Sequence, residues 1–319
     1  MGADTGRWRL SSDPPAGRGN VGMIRVGGRE ALRTGCLAKR YHPDVSSARE
    51  VAMSTVTKSR PSKGRGSVGG GRVLVWQGGS LWVSRATGAV EPHAHHAIQI
   101  TLAPGRAVRL KVAGATEWQC LQASIVMPDQ PHQFDGCGGD VALVFVEPES
   151  RAGRMLVARY GNSPLTPLDE ETLLDQSRTL LQALDGKAGD EHLIAVAKSI
   201  IDLLTGALPE VASVDPRITR SLEWMRARIA EPVTLAQAAG VAHLSPGRFR
   251  HLFVEQTGIS FRGYLLWTRV NSAVVDAMAG QSWTAAAQNA GFADSAHLSR
   301  TCRRVFGIAP SMLDRESRD

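Results

Sequence analysis

The sequence has no long hydrophobic run and no closely spaced pair of cysteines. Its longest apolar stretches, such as residues 141–146, fall far short of the ~18 residues that a membrane-spanning helix needs. Cys36, Cys120, Cys137 and Cys302 lie far apart and form no CxxC pair, which argues against a disulfide framework or a zinc finger. The N-terminal arginines are not followed by an apolar stretch, so no secretory signal is expected. These features predict a protein of the reducing cytoplasm.

Aromatic residues are also scarce, at 5%, although a hydrophobic content of 43% is enough to build cores. With 319 residues the chain suits two domains of ~150 residues each. Its net charge of +7 is uneven: residues 1–75 carry +9, residues 76–214 carry −6 and residues 215–319 carry +4. An acidic middle beside a basic C-terminal third fits a ligand-binding module joined to a DNA-binding one. A charge of +4 over a hundred residues is also ordinary for a globular domain.

Residues 1–72 are rich in Gly, Arg, Ser and Pro and show no sustained period. The stretch KSRPSKGRGSVGGGR, at residues 58–72, is typical of a flexible cationic chain, so a disordered basic segment is predicted. One interpretation is an extended arm that adds non-specific affinity for DNA. The other is that translation starts at Met23 or Met53, which would place much of this segment outside the protein.

Short apolar or alternating runs fill residues 73–150. VLVWQ, LWVSR, HAIQITL, AVRLKV, CLQASIVM and VALVFVE each predict a strand of about five to seven residues, and this spacing is typical of an antiparallel sandwich or barrel. Residues 151–208 change to a helical period, with helices predicted at 169–184 and 190–205. A linker is predicted at 209–216. The leucine stripes of the two helices suit either a dimer interface or packing within the chain.

The C-terminal part contains a helix-turn-helix pattern after a helix predicted at residues 216–230. Thr234 caps a short helix, His243 begins a turn, and Ser245 caps a second helix that ends at Gly258. In this arrangement the second helix enters the major groove of DNA.

The same pattern recurs 48 or 49 residues later. Ser282 caps a short helix, Gly291 begins the turn, and residues 293–306 form a second candidate recognition helix. A long helix capped by Ser260 lies between the two copies. A rigid connecting helix would set the two recognition helices about one DNA turn (~34 Å) apart, which predicts a directional site bound by one subunit.

Helical geometry sorts the side chains of both recognition helices. Phe249, Leu252 and Phe253 lie at i, i+3 and i+4 and face the core. The outward residues predicted to contact DNA are Gly247, Arg248, Arg250, His251, Ser295, Ala296, Ser299, Arg300, Arg303 and Arg304. Arg250 and Arg300 are predicted to recognise guanine, whereas the other arginines are better placed to bind phosphates. Arginines on an exposed helix otherwise simply face water, and the repetition at matched spacing is what favours DNA.

Two segments, LSPGRFRHLFVEQTGISFRGYLLWTRV and GFADSAHLSRTCRRVFGIAPSML, resemble the signature of the AraC/XylS family of bacterial transcription regulators. The resemblance covers about residues 215–313. It implies a seven-helix DNA-binding domain at 217–319, with contacts to DNA at Gly247, Arg250, His251, Ala296, Ser299 and Arg300. The sequence departs from the family at His243, where glycine is usual, and at Gly247 and Ala296, where many members have large side chains.

The same resemblance implies a cupin-like, effector-binding β-barrel at residues 73–150, followed by dimerising helices at 151–208. The expected fold class is therefore α+β multidomain, with an antiparallel barrel and two helices before an all-α double helix-turn-helix domain. The expected partners are double-stranded DNA, a small-molecule effector, a second copy of the chain and, for an activator, RNA polymerase. No cofactor and no membrane are expected. The protein is expected in the cytoplasm, at the nucleoid when bound to DNA.

One group of residues in the barrel region has metal-ligand spacing. His93, His95 and Gln99 follow the pattern His-x-His-x3-Gln, and His132 comes about one hairpin later. Metal-binding cupins have Glu in place of the Gln, followed by a later His, and three imidazoles suit zinc, iron, copper or nickel. Since Gln99 removes the carboxylate, we expect these four residues to bind the effector, or to be satisfied polar groups, rather than to hold a metal. His96 should face the other way and be exposed.

The leading hypothesis is a sequence-specific DNA-binding transcription regulator controlled by an effector, not an enzyme. One alternative is a metal-dependent cupin enzyme fused to a DNA-binding domain. The other is a regulator without a small-molecule ligand, in which the N-terminal domain binds a protein or only dimerises.

Overall fold

A computed structural model describes residues 68–86, 88–206 and 211–315 of the protein. The first strand begins at Val68, so the predicted boundary at residue 73 is too late, because residues 68–72 pair with the following strand. The rest of the predicted basic segment lies outside the described residues. Within those ranges, no helix combines the length and apolarity that crossing a membrane requires.

Ten strands form two sheets in the described part of the chain. They are β1 (Val68–Trp76), β2 (Gly79–Ala86), β3 (Ile98–Leu102), β4 (Val108–Val112), β5 (Gln119–Leu121), β6 (Ala123–Val126), β7 (His132–Asp135), β8 (Gly139–Val146), β9 (Leu165–Pro167) and β10 (Leu313–Arg315). The larger sheet has the order β10-β1-β2-β8-β3-β6-β9 and the smaller one β5-β4-β7. These pairs are antiparallel except β1 with β10, which are parallel.

The alternation of side chains along the strands gives the larger sheet two buried faces. Trp82 of β2 and Phe145 of β8 share an inner cluster with Leu110 and Phe134 of the smaller sheet. Neighbouring residues such as Leu81 point to the outer face and join a second cluster. The two sheets thus enclose an interior, as expected for a cupin-like barrel.

Three helices cover the outer face of the larger sheet: α1 (Arg151–Tyr160), α2 (Glu170–Leu181) and α3 (Asp190–Thr205). The predicted helix at 169–184 ends as a 3-10 turn at Gln182–Asp185, and α1 has no counterpart among the predicted helices. The apolar stripes, including Leu173 and Ile200, are buried against the sheet in the same chain. These stripes therefore need no dimer to explain them.

The C-terminal part is all-helical. Its helices are α4 (Pro216–Arg226), α5 (Leu235–Val241), α6 (Pro246–Thr257), α7 (Phe261–Met278), α8 (Trp283–Asn289) and α9 (Ser295–Phe306), followed by a 3-10 turn at Pro310–Met312. The 3-10 turn is the seventh helical segment of the predicted domain. The predicted helices at 216–230 and 293–306 are shorter than expected, because turns occupy residues 227–230 and Asp294 caps α9.

The long helix α7 belongs to two cores. Phe261 and Tyr264 in its first turns pack with α4, α5 and α6, which form a core of their own. Trp267, Val270 and Val274 further along join α8 and α9, and this core is continuous with the interior of the barrel. The second helix-turn-helix motif therefore packs directly against the barrel, and the first has an independent core.

Candidate DNA interface and sensor site

The first recognition helix, α6, is positioned by its caps and its buried stripe. Ser245 Oγ accepts a hydrogen bond from the backbone N–H of Arg248 at 3.4 Å, and Pro246 occupies the first turn. Phe249, Leu252 and Phe253 are buried. The opposite face presents the predicted DNA contacts, all of them exposed: Gly247, Arg248, Arg250 and His251.

The second recognition helix, α9, repeats this arrangement with a different cap. Asp294 Oδ1 accepts from the N–H of His297 at 2.6 Å, so the helix has a capping side chain one residue after Ala293. Leu298, Cys302 and Val305 are buried. The predicted contacts Ser295, Ala296, Arg300, Arg303 and Arg304 are exposed, and Ser299 is half-buried.

The guanidinium groups of Arg250 and Arg300 are unpaired within the described part of the chain. Both are exposed on the outward faces of the two recognition helices, as the sequence predicts, although Arg250 corresponds to Ser299 and Arg300 to His251 in the alignment of the motifs. Arg304 also makes a backbone contact with the barrel. Its carbonyl accepts a hydrogen bond from the N–H of Ala94 at 3.4 Å, and this bond holds the last turn of α9 against the barrel. The structure does not test contacts with DNA, and these residues remain predictions.

The histidines of the barrel converge as their spacing suggested. His93 and His132 exchange backbone hydrogen bonds of 3.0 and 2.8 Å, and their ring centroids are 4.3 Å apart. The ring of His95 lies 5.1 Å from that of His132 and 5.8 Å from that of His93. All three are buried, and one ring nitrogen from each lies within 4.8 Å of those of the other two. Gln99 is buried beside them, with Oε1 3.0 Å from Nε2 of His95.

Burial keeps these imidazoles neutral. Together with the neighbouring His95 it lowers the pKa of His93 to about 4, and together with His95 and His93 it lowers that of His132 to about 2. The pKa of His95 is lowered as well, chiefly by burial. Three neutral rings side by side can accept hydrogen bonds or bind a metal ion, but they add no charge to the barrel.

His96 is a correction to the sequence analysis, because it is buried rather than exposed. Its Nε2 contacts Glu149 Oε2 at 2.9 Å, and Asp129 lies on its other side. Burial alone would lower the pKa of His96, but the nearby carboxylate of Asp129 and the hydrogen-bonded carboxylate of Glu149 outweigh it and raise the pKa to about 9. His96 therefore carries a charge that the period-2 argument placed in solvent.

Arg226, at the end of α4, connects this buried charge to the first motif. It donates to Glu147 Oε2 at 2.6 Å and to Glu149 Oε1 at 3.4 Å. Burial and the neighbouring Glu149 raise the pKa of Glu147 to about 7. Sequence reasoning missed Arg226, since its partners lie 77 and 79 residues away and nothing local marks the pairing.

Phe306, the last residue of α9, closes the interior of the barrel. Its ring centroid lies 4.9 Å from that of Trp82 and 6.4 Å from that of Phe145. The next residue, Gly307, accepts a hydrogen bond from Glu91 N–H at 3.0 Å. A cavity of about 50 Å³ remains between Phe306 and the histidines and is lined by His93, His95 and Gln99 but not by His132.

A larger cavity lies elsewhere, between the sheet and α7. It measures about 300 Å³ and is lined by Trp76, Trp82 and Phe145 on one side and by Trp267 and Asn271 on the other. Arg226 and Glu147 lie at its polar edge. None of the four residues predicted to bind the effector lines it.

Residues 238–316 match the protein family described as "Helix-turn-helix domain". No curated protein matches the sequence. Among solved structures, an apo form of a ToxT variant from Vibrio cholerae strain SCE256 is similar over its whole length, at 12% identity and a TM-score of 0.51, and the match covers 76% of this chain and 100% of that one. The wild-type ToxT of that strain, bound to an unsaturated fatty acid, matches 74% of this chain and 94% of its own at 12% identity and a TM-score of 0.48.

Two DNA-binding domains match the C-terminal part. A transcriptional regulator with an AraC-type DNA-binding domain from Chromobacterium violaceum is 27% identical, with 31% of this chain and 89% of that one covered and a TM-score of 0.30. The DNA-binding domain of AdpA, solved with a target DNA, is 22% identical over 30% of this chain and 88% of its own, with a TM-score of 0.29.

The fold and the matched segment together define a class of protein. An antiparallel sheet domain precedes a helical double helix-turn-helix domain, and ToxT shares this order. The match at residues 238–316 identifies the C-terminal part as a helix-turn-helix domain.

Proposed function

We propose that this regulator reads a directional DNA site with α6 and α9 and responds to a ligand held by its N-terminal domain. Arg250 and Arg300 recognise guanine in successive major-groove segments, and Arg248 and Arg303 bind phosphates. The observation that carries the proposal is the repeated exposed face: each motif presents an unpaired arginine within two residues of a buried side chain, Phe249 in α6 and Leu298 in α9.

Selection of bound sites from a random DNA pool tests the proposal. The full chain should be used, because the core of the second motif is shared with the barrel. We expect a bipartite site with its halves about 10 base pairs apart, and we expect Arg250→Ala and Arg300→Ala each to relax a different half, by about 1–3 kcal/mol at the base concerned. Arg178→Ala on α2 is the control and should change neither half. Equal binding of all sequences would refute specific recognition.

The same proposal places the effector in the cavity between the sheet and α7. At about 300 Å³ it has the size of a small-molecule site, whereas the cavity beside the histidines is about 50 Å³. Its walls are mainly aromatic and aliphatic, and its edge carries Arg226, whose guanidinium an acidic ligand would share with Glu147. An apolar molecule with one acidic group suits this lining, and an unsaturated fatty acid is a suitable probe.

Occupancy of that cavity would act on both motifs, since α7 lies between them and forms one wall. We expect a fitting ligand to raise the melting temperature of the full chain. Ser272→Trp, which fills the cavity from α7, should abolish that rise, and Ser199→Trp on α3 should not. A panel of apolar acids that stabilises neither protein would favour the alternative in which the N-terminal domain binds no small molecule.

The domain boundaries, the cellular location and the oligomeric state are also part of the proposal. The domains divide at residues 73–150, 151–208, 209–216 and 217–319, apart from the earlier start of β1. The chain acts in the cytoplasm and on the nucleoid. It is a homodimer formed through the helices of 151–208. It contacts RNA polymerase if it activates transcription, and it catalyses no reaction. Sedimentation of the full chain tests the dimer, and a monomer at micromolar concentration would exclude it.

A further inference from the structure

In each of the three barrel histidines, Nδ1 contacts a backbone carbonyl oxygen. Nδ1 of His93 lies 2.9 Å from the carbonyl oxygen of Glu91, and Nδ1 of His132 lies 2.8 Å from that of Gln130. Nδ1 of His95 likewise lies 2.8 Å from Ala97 O. A carbonyl oxygen only accepts, so each Nδ1 carries the proton and each neutral ring leaves Nε2 as a bare acceptor. Backbone carbonyls thereby fix all three tautomers and ring directions.

Acceptors therefore outnumber donors in this buried group. Nε2 of His132 has no hydrogen-bond partner among the described residues. Gln99 Nε2 donates to Thr101 Oγ1, which turns Gln99 Oε1 toward Nε2 of His95 at 3.0 Å. Two ligand atoms bound to one ion with bonds of about 2.1 Å lie about 3.0–3.4 Å apart, so this oxygen and this nitrogen are already close to a shared coordination sphere. A single water has two hydrogens and cannot satisfy every acceptor present.

The space and the surroundings suit an ion rather than an organic molecule. The adjoining cavity of about 50 Å³ is otherwise lined by apolar side chains such as Trp82, Phe145 and Phe306. Tetrahedral Zn–N bonds of about 2.0–2.1 Å place nitrogens about 3.4 Å apart, so rings whose nitrogens lie within 4.8 Å need to move by less than about 1 Å each.

We infer that His93, His95 and His132 bind one divalent late transition-metal ion through Nε2, with Gln99 Oε1 as a fourth ligand. Neutral imidazoles held by backbone carbonyls favour Zn²⁺, Co²⁺, Ni²⁺ or Cu²⁺ over Mg²⁺ or Ca²⁺, which prefer several oxygen ligands. This site replaces the sequence-based expectation of no metal, which rested on the missing carboxylate alone.

A regulatory consequence rests on the proposed function. Gly307 follows Phe306 and lies against His93: a Cβ built on Gly307 would be 2.7 Å from Nδ1 of His93. A shift of His93 toward an ion therefore moves the contact that holds the end of α9, and we expect the ion to change the affinity of the chain for DNA.

The test uses the full chain, freed of metal with a chelator and titrated with Co²⁺. We expect one Co²⁺ per chain, with the visible d–d absorption of a four-coordinate nitrogen-rich site, and competition by one Zn²⁺. His132→Gln should weaken binding at least about 100-fold, more than the 10- to 100-fold lost when a ligand only loses its hydrogen-bond partner. His96→Gln, the buried neighbour bonded to Glu149, is the matched control and should bind as the unaltered chain does.

A second variant protects the test against misfolding. Gln99→Glu adds an anionic ligand, so we expect affinity to rise at least about tenfold, which damage to the fold cannot produce. The site is refuted if the unaltered chain binds no stoichiometric Co²⁺ or Zn²⁺, or if Gln99→Glu and His132→Gln bind alike. Metal titration needs no DNA, so its failure is distinct from failure to select a DNA site. Metal binding with unchanged DNA affinity would overturn the regulatory consequence alone.

Discussion

His243 lies in the turn of the first motif with a φ of 53°, in the left-handed region that favours glycine. At the corresponding turn of the second motif, Gly291 has a φ of 76°. The AraC/XylS family usually has glycine at this position. The resemblance therefore predicts that the backbone of His243 is strained.

We therefore expect His243→Gly to raise the free energy of unfolding by up to about 1 kcal/mol, since the cost of a left-handed side chain exceeds the entropy lost by glycine. Ala242→Gly, one residue earlier at a φ of −79°, should lower it by about 0.5–1 kcal/mol. Urea unfolding of the two variants measures both. A loss of stability in His243→Gly would show that the histidine makes a contact worth more than its strain.

Local pattern explains which single residues could be placed from the sequence. Phe249, Arg250, Leu298 and Arg300 lie where helical geometry put them, because exposure on a capped amphipathic helix depends on neighbours within one turn. His96 was misplaced, since its burial depends on Glu149, 53 residues away. Period-2 alternation also did not apply to it, because residues 93–97 precede β3 rather than belong to it.

Among the elements, α6 and α9 form a natural pair for comparison because both end in a glycine with positive φ. Gly258 follows α6 with a φ of 76°, and Gly307 follows α9 with a φ of 71°. Added Cβ atoms would meet different surroundings: nothing lies within 4 Å at Gly258, but Glu91 O lies at 2.4 Å and His93 Nδ1 at 2.7 Å at Gly307.

Gly258→Ala should therefore cost only the backbone strain, about 1 kcal/mol. Gly307→Ala adds a clash with the barrel, and we expect a total loss of at least about 3 kcal/mol, within the range of severe overpacking. Chemical denaturation of the two variants gives the difference, which measures how firmly the barrel holds the end of α9. Equal losses of stability would mean that the barrel residues beside Gly307 move aside at no cost.

Elements with local signals were predictable and short ones were not. α3, α6 and α7 have a cap or an acidic first turn, together with a stripe of at least three turns. β9 and β10 have three residues each and owe their existence to partners, Ser124–Val126 and β1, far along the chain. Such strands have no periodicity of their own to detect.

At the scale of the whole molecule, Arg226 is the charge by which the first motif contacts the barrel. Its removal leaves Glu147 and Glu149 close together with the larger part of their compensation gone. Glu149 retains His96, whereas Glu147 has no other cation within ion-pair distance in the described ranges.

We expect Arg226→Ala to destabilise the chain by about 3 kcal/mol at pH 8, as for a broken buried ion pair. The deficit should shrink as the pH falls from 8 to 6, because the pKa of Glu147, already raised to about 7 by burial and Glu149, rises further without Arg226, and the variant then gains more stability from proton uptake than the unaltered chain does. Arg217→Ala, which breaks a more exposed pair with Asp215, should cost much less, because solvent screens that pair. Urea unfolding at both pH values measures the deficit. A deficit that does not change with pH would contradict the role given to Glu147.

The sequence does not show that α8 and α9 share a core with the barrel while α4, α5 and α6 form a core of their own. Stripes in α8 and α9 predict that something is buried, but not that Phe306 lies among Trp82 and Phe145 of the barrel. A single chain with two such patterns gives no information about which surfaces meet, because apolar side chains are not specific for their partners.

The parallel pairing of β10 with β1 also bears on how the protein is made. Translation proceeds from the N-terminus, so β1, which is the edge strand of the larger sheet until β10 pairs with it, is synthesised more than two hundred residues before residues 313–315. During that interval the nascent chain exposes unpaired backbone groups of a nearly complete sheet, and the barrel also lacks Phe306 in its interior. The N-terminal sheet thus reaches its final form only after residues 306–315 have been synthesised, and its exposed edge is open to pairing with other chains until then.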